Sequence, residues 1–386
     1  MSMKIGVIGA GRLGICFALL CEAAGYDVLV SDIREDYVRG LNERKIVTNE
    51  PEVENLLRVA KNFRATTNNK EVIDECDLIY TLVATPSLPD GSYDVSSVWD
   101  VVDCFNEIRK KKYFVVGCTT NPGDCDEFSK KLPSNIDVFY NPEFIAQGSI
   151  VNDLRTADMV LLGKNPFRDN DSVVSEIRKL YEKIQTTRAI VCSMSTTAAE
   201  ITKIAINCFL TTKISYANML GDVLHHSGCG DEVSAVLSAV GTDSRIGRKY
   251  LGYGFGYGGP CLPRDNRSFA AFAKKVGLEY NLGTVTDEIN NQHATFICDY
   301  YEKINTDKKA FYFEYITYKK GTDILTESQQ YRLCTDLLDR GFSVYICNDN
   351  RVTPLICDEL LDKYGDRVKF VDDKKYITEP IFVVSM

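Results

Sequence analysis

Cys261 stands in the stretch LGYGFGYGGPCLPRD (251–265), with Asp265 four residues beyond it and glycines at 252, 254, 256, 258 and 259. Glycine at that density costs folding entropy and marks backbone that must reach φ > 0 or come close to a ligand. A thiol held on such a loop beside a carboxylate has the form of a covalent nucleophile. Read alone, the stretch is equally a mobile loop with a bystander cysteine. Lys203 and Asn207 are the second candidate group. Four residues apart on a helix they share a face, and a cation beside an amide donor can stabilise a developing oxyanion. A solvated polar face has the same spacing. Thr119 in TTNPG and Glu143 in NPEF follow apolar runs. Strand ends of that kind meet ligands in α/β sheets, although both residue types are also common in caps and turns.

The elements that must position these residues begin with MKIGVI (3–8) and the turn GAGRLG, whose glycines are Gly9, Gly11 and Gly14. An amphipathic segment follows, then a second apolar run that ends at Asp32. Strand, glycine turn, helix, strand and an acidic residue about 20 positions on form a dinucleotide-binding fingerprint. The pyrophosphate is expected on the helix N-terminus. Asp32 is expected to accept from the adenosine ribose and to repel a 2′-phosphate, favouring NAD over NADP; Arg34 nearby weakens that preference. Further strands are expected at 77–82, 113–118, 138–140 and 159–162, with helices at 35–43, 97–109 and 172–183. That alternation predicts a doubly wound, mostly parallel sheet to about residue 190.

Residues 195–225 carry almost no breakers and read as one long helix, with Ser195 or Thr196 as cap and Glu200 in its first turns. Helices at 266–276 and 286–304 follow the glycine stretch. A second α/β unit then has strands at 309–316, 342–347, 368–371 and 381–384 and a helix at 328–340. The expected fold is two Rossmann-like doubly wound α/β domains joined by a long central helix. Its parts are an NAD-binding domain (1–192), a central helical region with the Cys261 loop (193–304) and a C-terminal α/β domain (305–386). The long helix is a natural spine for a homodimer.

The chain of 386 residues has a formal charge of −9, which speaks against nucleic acid as a partner. No basic segment leads into a long apolar run at the start, and no apolar stretch reaches membrane-spanning length. A cytoplasmic protein with no membrane partner is therefore expected. The 14 cysteines include no C-x-x-C pair and no nearby histidine spacing for zinc, so no metal is expected and most thiols should be reduced and buried. The three histidines, His225, His226 and His293, read as structural or exposed.

Together, GAGRLG with Asp32, VATPSLPDGSYD (83–94), CTTNPG, NPEF, EITKIAINCFLTTKISYAN (200–218), DSRIG (243–247) and GFGYGGPCLPRD (254–265) resemble the UDP-glucose/GDP-mannose dehydrogenase family over nearly the whole chain. The resemblance implies oxidation of a nucleotide-sugar alcohol to a carboxylate by two NAD+ in turn. UDP-glucose is the first expected substrate, with GDP-mannose or a UDP-N-acetylhexosamine as alternatives. A weakened relative that only binds nucleotide sugar is the competing reading. By the resemblance, Cys261 carries a thiohemiacetal and then a thioester, and Lys203 and Asn207 hold the oxyanion. Asp265 and Thr119 position water and relay protons, and Glu143 serves thioester hydrolysis. It further implies Gly9, Gly11, Arg12, Leu13, Gly14, Asp32, Thr85, Thr119 and Arg264 at the cofactor. For the substrate it implies Phe144, Gln147, Lys203, Asn207, Arg245, Tyr250, Phe255, Gly256, Gly258 and Lys319, with Lys213 and Asn218 further along the helix. The sequence departs from the family pattern at Gln147, Met219, Arg264 and Thr326 and at the Asn348-Asp349 step, where Glu, Glu, Lys, Arg and Asp-Pro are usual. These departures bear on substrate identity more than on fold.

Overall fold

The computed structural model describes residues 3–168, 170–348 and 354–384, so Asp349 lies outside the described residues. Two compact units divide the chain, Met1–Ile204 and Ala205–Met386.

The first unit runs β1 (Ile5–Ile8), α1 (Arg12–Ala23), β2 (Val28–Ser31), α2 (Glu35–Glu43), α3 (Val53–Val59), β3 (Phe63–Thr66), α4 (Asn69–Glu75), β4 (Leu78–Thr81), α5 (Ser96–Asp103) and β5 (Lys112–Val116). It continues through α6 (Asp124–Lys131), β6 (Ile136–Tyr140), α7 (Ile150–Arg155), β7 (Met159–Lys164), α8 (Asp171–Ile184) and β8 (Ile190–Met194) into α9 (Thr196–His226). Its sheet has the order β3-β2-β1-β4-β5-β6-β7-β8. β1, β2, β4 and β6 are buried at every residue, because two helical layers cover the sheet and leave no solvent face for an alternating pattern. The parallel run ends at β6, since β7 pairs with it antiparallel and β8 is parallel to β7.

Two strands not expected from the sequence, β3 and β8, are the edges of the sheet. β3 is FRAT with Arg64 exposed, and β8 is half-exposed along its length. The helix expected at 97–109 stops at Asp103. Phe105 there leaves the helical path to pack against Phe114 of β5, their rings 5.0 Å apart.

The second unit contains the remainder of α9, α10 (Val233–Thr242), α11 (Leu262–Lys275), α12 (Leu282–Ile304), β9 (Ala310–Phe313), α13 (Gln329–Asp339), β10 (Val344–Cys347), α14 (Pro354–Tyr364), β11 (Val368–Val371) and β12 (Ile381–Val383). Its sheet is wholly parallel in the order β11-β10-β9-β12. Ile297 and Tyr301 of α12, Phe311 and Phe313 of β9 and Leu333 and Leu337 of α13 form its core. α11 begins directly after Cys261 rather than at 266, with Pro263 in its first turn, where proline's missing N–H costs nothing. Thus both units are α/β, the first with a mostly parallel sheet and the second with a wholly parallel one, and the long helix α9 runs from one into the other. No described helix is long and apolar enough to cross a membrane.

Candidate active site

In the first unit the strand order reverses between β1 and β4, which opens a crevice at their carboxyl ends. Gly9 sits there at φ +93°, and a Cβ on it would lie 2.8 Å from the Leu82 carbonyl oxygen. A Cβ on Gly14 would lie 2.0 Å from the Gly9 carbonyl oxygen, so neither position admits a side chain. Gly11 caps α1 without a side-chain hydrogen bond and has open space around it. The N–H groups of that first turn are the natural seat of a phosphate. At the end of β2, Asp32 accepts from the Arg34 N–H (3.1 Å), Nε (2.8 Å) and Nη2 (2.9 Å). Burial by itself would raise the Asp32 carboxyl, but the Arg34 bonds and charge more than reverse this and hold it below its ordinary value. Glycine turn, helix end and ionised carboxylate all fit a dinucleotide. Thr85 is buried just beyond β4, and Leu13 packs on the first core. Arg12 donates to Gln147 Oε1 (2.7 Å), which ties the glycine turn to the loop after NPEF.

Glu143 and Phe144 follow β6, and Lys203 of α9 meets both. Its Nζ donates to the Glu143 carbonyl (2.9 Å) and lies 4.6 Å from the centre of the Phe144 ring. Lys203 is only 8% exposed, so a cation is held against a carbonyl and an aromatic face. Burial pushes the Glu143 carboxyl up to about 7, against the lowering effects of the Tyr181 hydroxyl and Lys203. A carboxyl poised there can exchange protons near neutral pH.

Glu200, which the sequence marks only as a helix-start carboxylate, is fully buried and organises the turn that carries Thr119. It accepts from Thr120 Oγ1 (2.9 Å) and from the N–H groups of Gly123 (2.7 Å) and Cys125 (2.9 Å). One side chain of α9 thus caps α6 and fixes the TTNPG turn. Thr119 itself is half-buried at the end of β5.

In the second unit Cys261 is the N-cap of α11, and its carbonyl accepts the Asp265 N–H (2.9 Å). The sulfur therefore sits at the positive end of a 14-residue helix, where an anion is favoured. Asp265, one turn on, is 2% exposed and accepts from Asn207 Nδ2 (2.6 Å). Three of the predicted residues, Cys261, Asp265 and Asn207, thus meet within this unit. Arg264 is half-buried in the first turn of α11.

The glycine loop is held by Asn218, expected only near the substrate, by His293, expected to be structural or exposed, and by Asn290, which the sequence did not single out. Asn218 accepts from Gly254 N–H (3.1 Å) and donates to the Phe255 carbonyl (3.4 Å). Asn290 of α12 accepts from Tyr257 N–H (2.9 Å) and donates to its carbonyl (3.0 Å). His293, 1% exposed, bridges the Asp222 carboxylate (2.8 Å) and the Gly254 carbonyl (2.7 Å). A Cβ on Gly256 would lie 2.2 Å from Asn290 Oδ1, and one on Gly258 2.3 Å from the Glu327 carbonyl oxygen. Close packing of backbone against these helices is what both glycines meet here. Of the five loop glycines only Gly259 has a positive φ.

The other predicted residues are more peripheral. Arg245 is highly exposed and chelates Asp243 through Nε and Nη2. Lys213 donates to the Ile246 carbonyl (3.2 Å) and so steadies the same DSRIG turn. Tyr250 is exposed at φ +60°, and Phe255 is half-buried against the core. Lys319 is exposed, in a loop whose Thr317 and Thr322 hydroxyls bond its carbonyl. A cleft of about 570 Å³ opens at the carboxyl ends of β9 to β12, lined among others by Phe255, Tyr315, Lys320, Gln330, Asp373 and Lys374. His225 is half-buried and His226 exposed, and among the described residues no cluster of His, Cys, Asp or Glu could hold a metal ion.

Residues 3–185 match the family model for the NAD-binding domain of the UDP-glucose/GDP-mannose dehydrogenase family, and residues 197–292 match its central domain. The chain belongs to this family and is an NAD-dependent nucleotide-sugar dehydrogenase, with NAD as its cofactor. UDP-glucose 6-dehydrogenase AglM of Haloferax volcanii is 30% identical over 89% of this chain and 82% of its own length. The structure of a UDP-glucose dehydrogenase from Pyrobaculum islandicum superposes with a TM-score of 0.82 at 26% identity, covering 97% of this chain and 87% of that one. A UDP-D-ManNAc dehydrogenase from Pyrococcus horikoshii shares the fold at TM-score 0.75 and 19% identity, over 99% of each chain.

Proposed function

We propose that the protein is a UDP-glucose 6-dehydrogenase, converting UDP-glucose to UDP-glucuronate with two NAD+. The observation that carries the chemistry is Cys261 at the start of α11, one turn from an Asp265 carboxylate fixed by Asn207. The relatives from H. volcanii and P. islandicum, named for UDP-glucose, favour that sugar. When bound, NAD+ supplies the hydride acceptor, and the protein's own groups do the rest. The glycine turn, with Gly9, Gly11, Arg12, Leu13 and Gly14, holds the pyrophosphate, and Asp32 accepts from the adenosine ribose. Thr85, Thr119 and Arg264 complete the cofactor site.

The C6 hydroxyl loses a hydride and a proton to give an aldehyde. Cys261, as thiolate, adds to that carbonyl, and Lys203 with Asn207 stabilises the oxyanion. Loss of a second hydride leaves a thioester. Water, activated at Glu143 and ordered by Asp265 and Thr119, then releases the carboxylate and restores the thiol. Phe144, Gln147, Arg245, Tyr250, Phe255, Gly256, Gly258 and Lys319 are assigned to the substrate. We assign residues 1–192 to the cofactor, 193–304 to catalysis and dimerisation and 305–386 to the nucleotide, for which the 570 Å³ cleft is the seat. Sugar-limited turnover tests this reading: two NADH per UDP-glucose are expected. One NADH would mean that oxidation stalls before hydrolysis. Activity confined to GDP-mannose or an N-acetylated sugar would keep the chemistry and change the substrate. Binding without any turnover would overturn the enzymatic reading.

The dimer is part of the same proposal. Phe209, Tyr216, Met219 and Val223 of α9 share one helical face and are each at least 39% exposed. Tyr216→Glu is expected to turn a dimer into a monomer by size exclusion with light scattering. A dimer indifferent to both Tyr216→Glu and Phe209→Glu would rule this face out. A cytoplasmic setting is consistent with the chemistry, since Cys261 must stay reduced.

A further inference from the structure

Tyr181 of α8 has one hydroxyl proton and two acceptor oxygens within reach. Glu143 Oε1 lies in close hydrogen-bonding contact, and Asn141 Oδ1 is 2.8 Å away. Tyr80 Oη donates to the same Asn141 Oδ1 at 3.2 Å. The Asn141 amide cannot be the other way round, because its Nδ2 donates to the Leu161 carbonyl (2.9 Å). Tyr80, Asn141 and Tyr181 are each at most 2% exposed, so every polar atom must be satisfied inside the protein.

This cluster has two complete bonding patterns on the same heavy atoms. With Glu143 ionised, Tyr181 donates to the carboxylate and Asn141 Oδ1 keeps the Tyr80 bond. With Glu143 protonated, its O–H donates to the Tyr181 oxygen, and the Tyr181 proton turns to Asn141. Neither pattern orphans a buried group, so Glu143 gains or loses a proton without rearrangement of its surroundings.

We propose that Tyr181, backed by Asn141 and Tyr80, is the positioning residue that lets Glu143 pass between carboxylate and acid during hydrolysis of the enzyme thioester. In that step the water oxygen bonds to the thioester carbon, its proton passes to Glu143, and the C–S bond breaks to leave the Cys261 thiolate; no redox change occurs. The inference rests on reading Glu143 as the hydrolytic base. The groups facing Glu143 are Cys21 of α1, Tyr80 of β4, Tyr181 of α8 and Lys203 of α9. Its carboxyl, raised to about 7, titrates where such a device would be used.

The test is Tyr181→Phe, which keeps the ring and its contact with Phe17 (6.3 Å) and removes only the hydroxyl. The hydroxyl stabilises the carboxylate, so its loss should move the acidic limb of the hydrolysis rate about one pH unit to the alkaline side. Hydrolysis near neutral pH should slow by roughly fivefold, approaching tenfold on the acid side, and a covalent sugar adduct on Cys261 should accumulate by mass spectrometry. Tyr80→Phe, which leaves Asn141 dependent on Tyr181, should shift the limb in the same direction and by less. If Tyr181→Phe fails to fold, Tyr80→Phe and an infrared titration of wild type against Glu143→Gln decide the matter. A limb that stays put in whichever variant folds, or a Glu143 carboxyl band that never titrates, overturns the proposal. Glu143→Gln separates the two readings. If it leaves hydrolysis intact, the base assignment falls and this inference with it; if it blocks hydrolysis while the limb stays put, only the role of Tyr181 falls.

Discussion

Replacing Cys261 with alanine is expected to reduce carboxylate formation by on the order of 10⁴-fold or more, the scale of losing a nucleophile in covalent catalysis. An aldehyde carbon carries no electron pair to push out a second hydride until a nucleophile has added to it, and in the proposed mechanism the Cys261 thiolate is that nucleophile. Its position follows from the chain. The backbone turns into α11 directly at Cys261, whose carbonyl starts the helix by accepting the Asp265 N–H, so the sulfur projects at the helix N-terminus. Rapid-quench analysis with mass detection is the measurement. The variant should release at most one NADH per sugar and yield no carboxylate product. A variant that still made two NADH within tenfold of the wild-type rate would mean that a hydrated aldehyde, not a thiohemiacetal, gives up the second hydride. Folding should be little affected, because Cys261 is only half-buried and the alanine side chain is smaller.

Replacing Lys203 with methionine is expected to lower kcat by about 10²–10³-fold, the range for removing one oxyanion donor. Methionine approximates the length and apolar stem that pack along Phe144 but lacks the ammonium. The change thus removes the charge while largely keeping the packing. The Glu143 carbonyl would lose a donor (2.9 Å), and the Glu143 carboxyl would lose a cation that favours its ionised form. The slow step should therefore also move to higher pH. Arginine is not expected to rescue, because its planar fork cannot reproduce a single ammonium donor in a pocket where Lys203 is 8% exposed. Steady-state rates beside thermal unfolding separate the two effects. A Lys203→Met enzyme within fivefold of wild type would remove the residue from the oxyanion site.

Several departures from the family pattern have a visible local consequence. Gln147 accepts from Arg12, so the loop after NPEF is tied to the dinucleotide turn by a neutral acceptor at this position. Thr326 precedes Glu327, which holds φ +54° and pairs with Arg267, whose Nε also reaches Asp287 of α12. That network closes the backbone against Gly258 without an arginine at 326. Nothing in the structure accounts for Met219 beyond its place on the exposed face of α9.

The sequence by itself determined the elements whose signal is local. The short apolar run MKIGVI and the glycine turn after it specify β1, α1 and the cofactor crevice, where a Cβ at Gly9 or Gly14 would strike backbone. The unbroken run of helix formers determined α9, and with it the one-turn separation of Lys203 from Asn207. The tertiary structure alone decided what these residues touch. Edge strand β3 (FRAT) was illegible because it carries no apolar run, and edge strand β8 (IVCSM) because its short run leads without a turn signal into the long helix α9. Reversal of β7 leaves no trace in composition, since parallel and antiparallel pairs bury the same residue types. Glu200 on the TTNPG turn, Tyr181 on Glu143, and Asn290 and His293 on the glycine loop are pairings across 30 to 80 positions of chain. A hydrogen bond of that kind depends on distance and direction between two elements, and neither is written in the spacing of residues along one of them.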